Sequence, residues 1–176
     1  YFICDDEASL LYVINLGSIP LHLWASRVPT LERPDWCVLD LDPKGAPFTD
    51  VVRVALALRR ILERLELPSY VKTSGATGLH ILLPLAARYT YEQCRTFARL
   101  LAVMGVEAEP EISTVARPLR ARGGKVYIDF GQNGHGQTIV APYSLRPLPG
   151  APASCPLEWR EVTPRLDPAR FTLRTL

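Results

Sequence analysis

Cys37-Val38-Leu39-Asp40-Leu41-Asp42-Pro43 reads as one buried strand, because the run is short, aliphatic and closed by proline. Side chains alternate faces along a strand. Asp40 and Asp42 therefore share one face, while Cys37, Leu39 and Leu41 anchor the segment on the other. Two neighbouring carboxylates repel each other and need a cation, a shared proton or strong solvation. A divalent metal answers this most simply, and all-oxygen donors suit hard Mg²⁺ or Mn²⁺. On this motif alone, an acidic strand end opening an Asp-Pro turn is the other reading.

Working outward, helical and strand periodicities alternate. Residues 49–65 carry Val52, Ala55, Leu56, Ile61 and Leu62 at helical spacing. Residues 69–73 predict a second strand, Ser74-Gly75-Ala76-Thr77-Gly78 a tight turn, and residues 79–83 a third strand stopped by Pro84. A second helix is expected over 91–104, carrying Phe97, Leu100, Leu101 and Met104. A fourth strand over 125–130 sets Val126, Ile128 and Phe130 opposite Tyr127 and Asp129. The order β-α-β-β-α-β is the split unit of ferredoxin-like folds, an α+β class. Right-handed crossovers place the first strand centrally, flanked by the third and fourth. His80 and Asp129 then come beside Asp40 and Asp42, so that three carboxylates meet in one patch.

Upstream, residues 5–16 predict a lead-in helix with Leu10, Leu11, Val13 and Ile14 as its apolar face and Gly17 as its stop. Residues 21–24 suggest a short strand carrying His22. From Pro142 onward the chain is proline-rich, which predicts a wrap of coil and turns over the body rather than an extension of the sheet.

At 176 residues the chain fits one domain. Its 48% apolar and 22% charged content exclude a disordered or membrane-embedded class. Tyr1 is not an initiator methionine and no basic, signal-like start follows it, so a piece of a longer protein is expected. A net charge of +2 leaves a nucleic-acid partner open, with Arg117, Arg120, Arg122 and Lys125 as a local basic cluster. Four scattered cysteines, three histidines and no Cys-x-x-Cys argue against structural zinc. Cys37 and Cys94 fall in apolar patterns as small core residues, and a reducing cytoplasm is expected.

Three motifs in order carry a resemblance: Asp40-Leu41-Asp42-Pro43, then Lys72-Thr73-Ser74-Gly75-Ala76-Thr77-Gly78-Leu79-His80, then Tyr127-Ile128-Asp129 followed by Ala141-Pro142-Tyr143-Ser144-Leu145-Arg146. The chain resembles the polymerase domain of bacterial ATP-dependent ligase D, within the archaeo-eukaryotic primase superfamily. Residues 1–176 would then be the catalytic part of one primase-polymerase domain, a fragment lacking the upstream portion. The resemblance implies a metal-dependent nucleotidyltransferase that adds nucleotides, preferably ribonucleotides, to DNA primer ends in non-homologous end joining. It implies Asp40, Asp42 and Asp129 as catalytic ligands of two Mn²⁺ (or Mg²⁺) ions. One ion would activate the primer hydroxyl and the other would neutralise the triphosphate. Ser74, Gly75, His80, Arg122, Arg146 and His22 are implied in nucleotide binding. A glycine-bearing turn agrees with that role, since its N–H groups can approach phosphate closely. DNA ends with template and primer strands, nucleoside triphosphates, Ku and a ligase domain are the implied partners, in the bacterial cytoplasm at the nucleoid.

Two departures bear on phosphate binding. Thr77 stands where many family members have lysine, and Gln132-Asn133-Gly134-His135-Gly136 replaces Arg-Asn-Gly-Arg-Gly. Each change removes a fixed positive charge, and His135 is an incomplete replacement because it is only partly charged at neutral pH. Lys72 reads as a strand residue with a solvated head. Two further readings stand beside the first: primer synthesis without a primer, and a degenerate nucleic-acid-binding module. Sheets that bind RNA usually present stacking aromatics, whereas this one presents carboxylates.

Overall fold

Eleven regular elements form around the Asp-Leu-Asp strand in the computed structural model, which describes residues 2–176. In chain order they are α1 (Glu7–Asn15), β1 (His22–Trp24), β2 (Trp36–Asp42), α2 (Phe48–Arg64), β3 (Tyr70–Thr73) and β4 (Leu79–Pro84). There follow α3 (Tyr91–Ala108), β5 (Ser113–Thr114), β6 (Val126–Asp129), β7 (Thr138–Val140) and β8 (Pro156–Leu157). The main sheet has the order β5-β6-β2-β4-β3-β8. β2 is therefore central, between β4 and β6, as right-handed crossovers require. All its neighbours pair antiparallel except β5 with β6, which run parallel.

One face of the sheet carries the core. Cys37, Leu39 and Leu41 of β2, Leu79, Ile81 and Leu83 of β4, and Val126 and Ile128 of β6 pack against the apolar faces of α2 and α3. α3 starts at a capping box in which Thr90 and Gln93 satisfy each other's backbone N–H groups. Gly105 lets it lie close to the sheet, since an added Cβ would come within 2.9 Å of both Ile128 and Leu58. The opposite face of the sheet carries the polar residues of β2, β3, β4 and β6. A separate two-stranded ribbon of β1 and β7 stands beside it, pairing His22 with Val140.

β2 exceeds its partner on one side. β6 pairs only with Asp40, Leu41 and Asp42, which leaves the Val38 peptide groups without a strand neighbour there. The Asn133 side chain takes that place: Val38 N–H donates to its Oδ1 at 2.7 Å, and its Nδ2 donates to Val38 O at 2.7 Å and to Phe130 O at 2.9 Å. A buried amide thus substitutes for one residue of a strand, and the central ladder stays satisfied.

The structure corrects three expectations. α1 forms but buries none of its residues, and Leu11 is 59% exposed, so the expected apolar face has no packing partner among the described residues. α3 continues to Ala108, a full turn past Met104. The proline-rich tail does extend the sheet: β8 pairs with β3 as an edge strand, where a missing N–H is tolerated. Thr73 Oγ1 donates to Ala153 O, and Trp159 Nε1 to Ser69 O, so side chains stitch the rest of the tail to β3.

Replacing Asn133 by alanine should strand both Val38 backbone groups inside the sheet. The expected loss is about 2–4 kcal/mol of unfolding free energy in urea denaturation. A loss below about 0.5 kcal/mol would show that the clip is dispensable.

Candidate active site

Four polar side chains form a straight row across the sheet. Register pairs Lys72 of β3 with His80 of β4, His80 with Asp40 of β2, and Asp40 with Asp129 of β6. Directly opposed residues on neighbouring strands hold their Cβ atoms about 4.5–5.5 Å apart, so the order cation, imidazole, carboxylate, carboxylate is set by backbone pairing alone. Two residues along, Asp42 stands opposite Tyr127.

Each carboxylate has its own partner. Asp40 Oδ1 lies 3.4 Å from His80 Nε2. Asp42 Oδ2 accepts from Arg122 Nη1 at 2.7 Å, and the Arg122 guanidinium sits 4.1 Å over the Tyr127 ring. Asp129 Oδ1 accepts from the Gly131 N–H at 2.7 Å and from the Tyr127 hydroxyl at 3.1 Å. Burial, then the Asp129 charge, push the Tyr127 phenol up to about 12, so it stays a donor. Among the described residues no three histidine, cysteine or carboxylate side chains stand together as a ready metal cage. The donor set nevertheless fits a hard divalent cation: the aspartates are oxygen donors on adjacent strands, and Asp42 already draws a cation to itself.

A cavity of about 270 Å³ opens beside Asp40 and His80, the middle members of the row. It is lined by Asp40, Asp42 and His80 from the sheet, by the 74–78 turn, by His22 and the β7 edge, and by Arg146. Within the turn, Ser74 Oγ accepts from the N–H groups of Ala76 and Gly78 at 3.1 and 3.0 Å. Those two N–H groups are engaged by the serine rather than offered to phosphate, and the Ser74 hydroxyl keeps its own proton to donate. Gly75 serves a steric need: at φ +72° an added Cβ would lie 2.8 Å from Arg146 Cγ. The glycine lets the arginine chain cross the turn. Arg146 then reaches His22 Nε2 at 3.4 Å, while its own Nε is buried without a partner.

Of the residues expected in nucleotide binding, Ser74, His80, His22 and Arg146 line the cavity, and Gly75 packs beneath it. Arg122 is committed to Asp42 and to the Arg117 carbonyl. Both departures from the family pattern, Thr77 and Gln132, also line the cavity. His135 does not: it packs edge-on against Trp24 and Tyr91, with Glu32 Oε1 at 3.4 Å, so it replaces no phosphate-facing charge. The reading of Lys72 as a solvated head is overturned. The residue is 2% exposed, and its Nζ bonds His80 Nδ1 at 2.8 Å and Ser154 Oγ at 2.6 Å. Neither Ser154 nor the structural task of Asn133 was visible beforehand, because each depends on a contact made more than 80 residues away.

Burial sets the charge state of the basic groups. Desolvation brings Lys72 down to about 7, with Asp40 opposing the shift and Arg146 adding to it. Desolvation also lowers His80 against the pull of Asp40, and lowers His22 together with Arg146. The free Cys37 thiol, hydrogen-bonded to Cys94 and buried, is held far above its usual range, so it is inert packing.

Comparison with known proteins now places the chain. The family model for the LigD primase-polymerase domain matches residues 1–176, and the chain belongs to that family. The bifunctional non-homologous end joining protein LigD of Bacillus subtilis is 35% identical over 178 residues, covering 100% of this chain and 29% of that protein. The multifunctional LigD of Pseudomonas aeruginosa is 35% identical over 170 residues, 96% of this chain and 20% of its own length. The polymerase domain from Mycobacterium tuberculosis ligase D, solved in complex with DNA, superposes with a TM-score of 0.86 at 28% identity. That match covers 95% of this chain and 62% of the other. The chain thus spans less than a third of the curated relatives named here.

The Lys72 environment yields a signed pH dependence. The unfolded chain keeps this proton to about 10.5 while the folded chain releases it near 7, so between those values the unfolded state binds more protons. Stability from this group therefore rises with pH across that window. In urea denaturation the unsubstituted chain should gain stability relative to Lys72→Met as pH climbs from about 7 toward 10.5. Parallel curves for the two proteins would contradict this placement of the charge.

Proposed function

We propose that this chain is the catalytic portion of a metal-dependent nucleotidyltransferase that adds nucleotides, preferably ribonucleotides, to DNA primer ends during non-homologous end joining. The observation that carries the reading is a cavity lined by Asp40 and Asp42 together with His80, Ser74 and Arg146, with Asp129 paired to Asp40 on the neighbouring strand. Carboxylates for cations and donors for phosphate line one space, which is the charge pattern phosphoryl transfer needs.

Asp40, Asp42 and Asp129 would hold the divalent ions, Mn²⁺ or Mg²⁺, which supply Lewis-acid activation of the primer hydroxyl and neutralisation of the triphosphate. Arg146 approaches across Gly75 with a guanidinium suited to phosphate oxygens. The Ser74 hydroxyl and the His80 ring donate from the floor. Arg122 neutralises Asp42 and fixes its orientation through the Tyr127 ring. DNA ends and nucleoside triphosphates are the proposed substrates, with Ku and a ligase domain as proposed partners in the bacterial cytoplasm. The structural relative bound to DNA supports the first of these, and no helix among the described residues is long and apolar enough to cross a membrane.

Primer extension on a recessed DNA end with Mn²⁺ and labelled ribonucleotide tests the reading. Alanine at Asp40, Asp42 or Asp129 should lower incorporation by about 10²–10³-fold or more with the fold retained. Arg146→Ala should act mainly by raising the nucleotide KM. Full incorporation by Asp129→Ala would refute the assigned site. Equal use of ribo- and deoxyribonucleotides would remove the preference.

A further inference from the structure

The buried lysine behind the candidate site has a partner set whose directions can be worked out atom by atom. Ser154 Oγ carries one proton and donates it to the Thr73 carbonyl at 2.8 Å. Only its lone pairs are left for Lys72, whose Nζ lies 2.6 Å away and must be the donor. A second N–H of the same ammonium points at His80 Nδ1, 2.8 Å distant. Below the value near 7 where it loses its proton, the ammonium has donors and no acceptor, so Nδ1 meets it there with a lone pair. The ring proton is then left on Nε2, the nitrogen that faces Asp40 Oδ1 at 3.4 Å and belongs to the cavity wall.

We propose that Lys72 and Ser154 are positioning residues that lock His80 as its Nε2–H tautomer, so that the ring meets the Asp40 side of the cavity, and a phosphate oxygen bound there, as a donor only. The relay moves no proton; it fixes direction. The groups that face the ring are Asp40 from β2, Lys72 from β3, and His22 and Arg146 from the two sides of the cavity. Ser154 lies in the proline-rich tail, which β8 and the Thr73 contacts pin to β3. The tail therefore sets the chemistry of a strand residue on the far side of the sheet edge. The phosphate half of this inference rests on the function proposed above; the tautomer half does not.

Nitrogen-15 spectra of the full chain decide the matter. Only three histidines occur, so His80 is assigned from its loss in His80→Asn. At about pH 6, below the value near 7 where Lys72 gives up a proton, the His80 signals should show a bare Nδ1 and a protonated Nε2. Lys72→Met removes the donor while keeping chain length, and the two nitrogens should then move toward the averaged shifts of an exchanging ring. Should that variant not fold, Ser154→Ala loosens the same anchor and should move Nδ1 toward its unbonded shift. A ring protonated on Nδ1 or on both nitrogens in the unsubstituted chain overturns the proposal, as does a spectrum unchanged by substitution. In primer extension, Lys72→Met should raise the nucleotide KM about tenfold, the scale of one lost directed hydrogen bond to a charged group, with a smaller change in kcat. An unsubstituted chain with the expected tautomer but no nucleotide incorporation would count against the polymerase reading and leave the relay standing.

Discussion

Backbone register between β3, β4, β2 and β6 is the constraint on which the rest depends. A strand slipped by one residue turns every side chain to the opposite face, so the row Lys72, His80, Asp40, Asp129 exists only while four strands hold their pairing. The core enforces that pairing from the other side. Leu39, Leu41, Leu79, Ile81 and Ile128 are fully buried beneath α2 and α3, and a slip would expose all of them at once. The apolar face thus guarantees the polar one, and Asn133 completes the central strand where β6 is too short to do so.

Charge on the polar face is balanced locally before any substrate arrives. Arg122 answers Asp42, the Gly131 N–H and Tyr127 hydroxyl answer Asp129, and His80 stands beside Asp40. Lys72 is the unusual member, because a buried ammonium is costly to desolvate. It is retained with two short side-chain hydrogen bonds. Arg146, with His22 beside it, and the carboxylates of Asp40 and Asp42 then line one cavity of about 270 Å³. Both signs of charge within one cavity suit a substrate whose phosphates need donors and whose reacting oxygen needs cations.

Much of this was legible from the sequence, and the limits have physical causes. β2 (Trp36–Asp42) follows within a residue from its aliphatic run and closing proline, and its central place follows from crossover handedness. That Asp40, Asp42 and Asp129 share one face was legible because alternation fixes faces, and pairing sets Asp129 opposite Asp40 with Asp42 two residues along. The Lys72 reading failed because strand alternation places a side chain on a face without saying what covers that face. Here Ser154, from the tail, covers it. The tail itself was misjudged because proline excludes a central strand but not an edge one, and β8 is an edge. α1 shows the converse: its helical periodicity is real, yet none of its residues is buried.

The central claim is that the ends of β2 and β6 form a cation site serving a bound triphosphate. Electron paramagnetic resonance of Mn²⁺ titrated into the chain, with and without a non-hydrolysable ribonucleoside triphosphate, measures this directly. The account predicts that the chain with triphosphate sequesters Mn²⁺ beyond what the triphosphate alone binds, and that Asp40→Asn with Asp42→Asn abolishes the excess. Identical titrations for the substituted and unsubstituted proteins would contradict it.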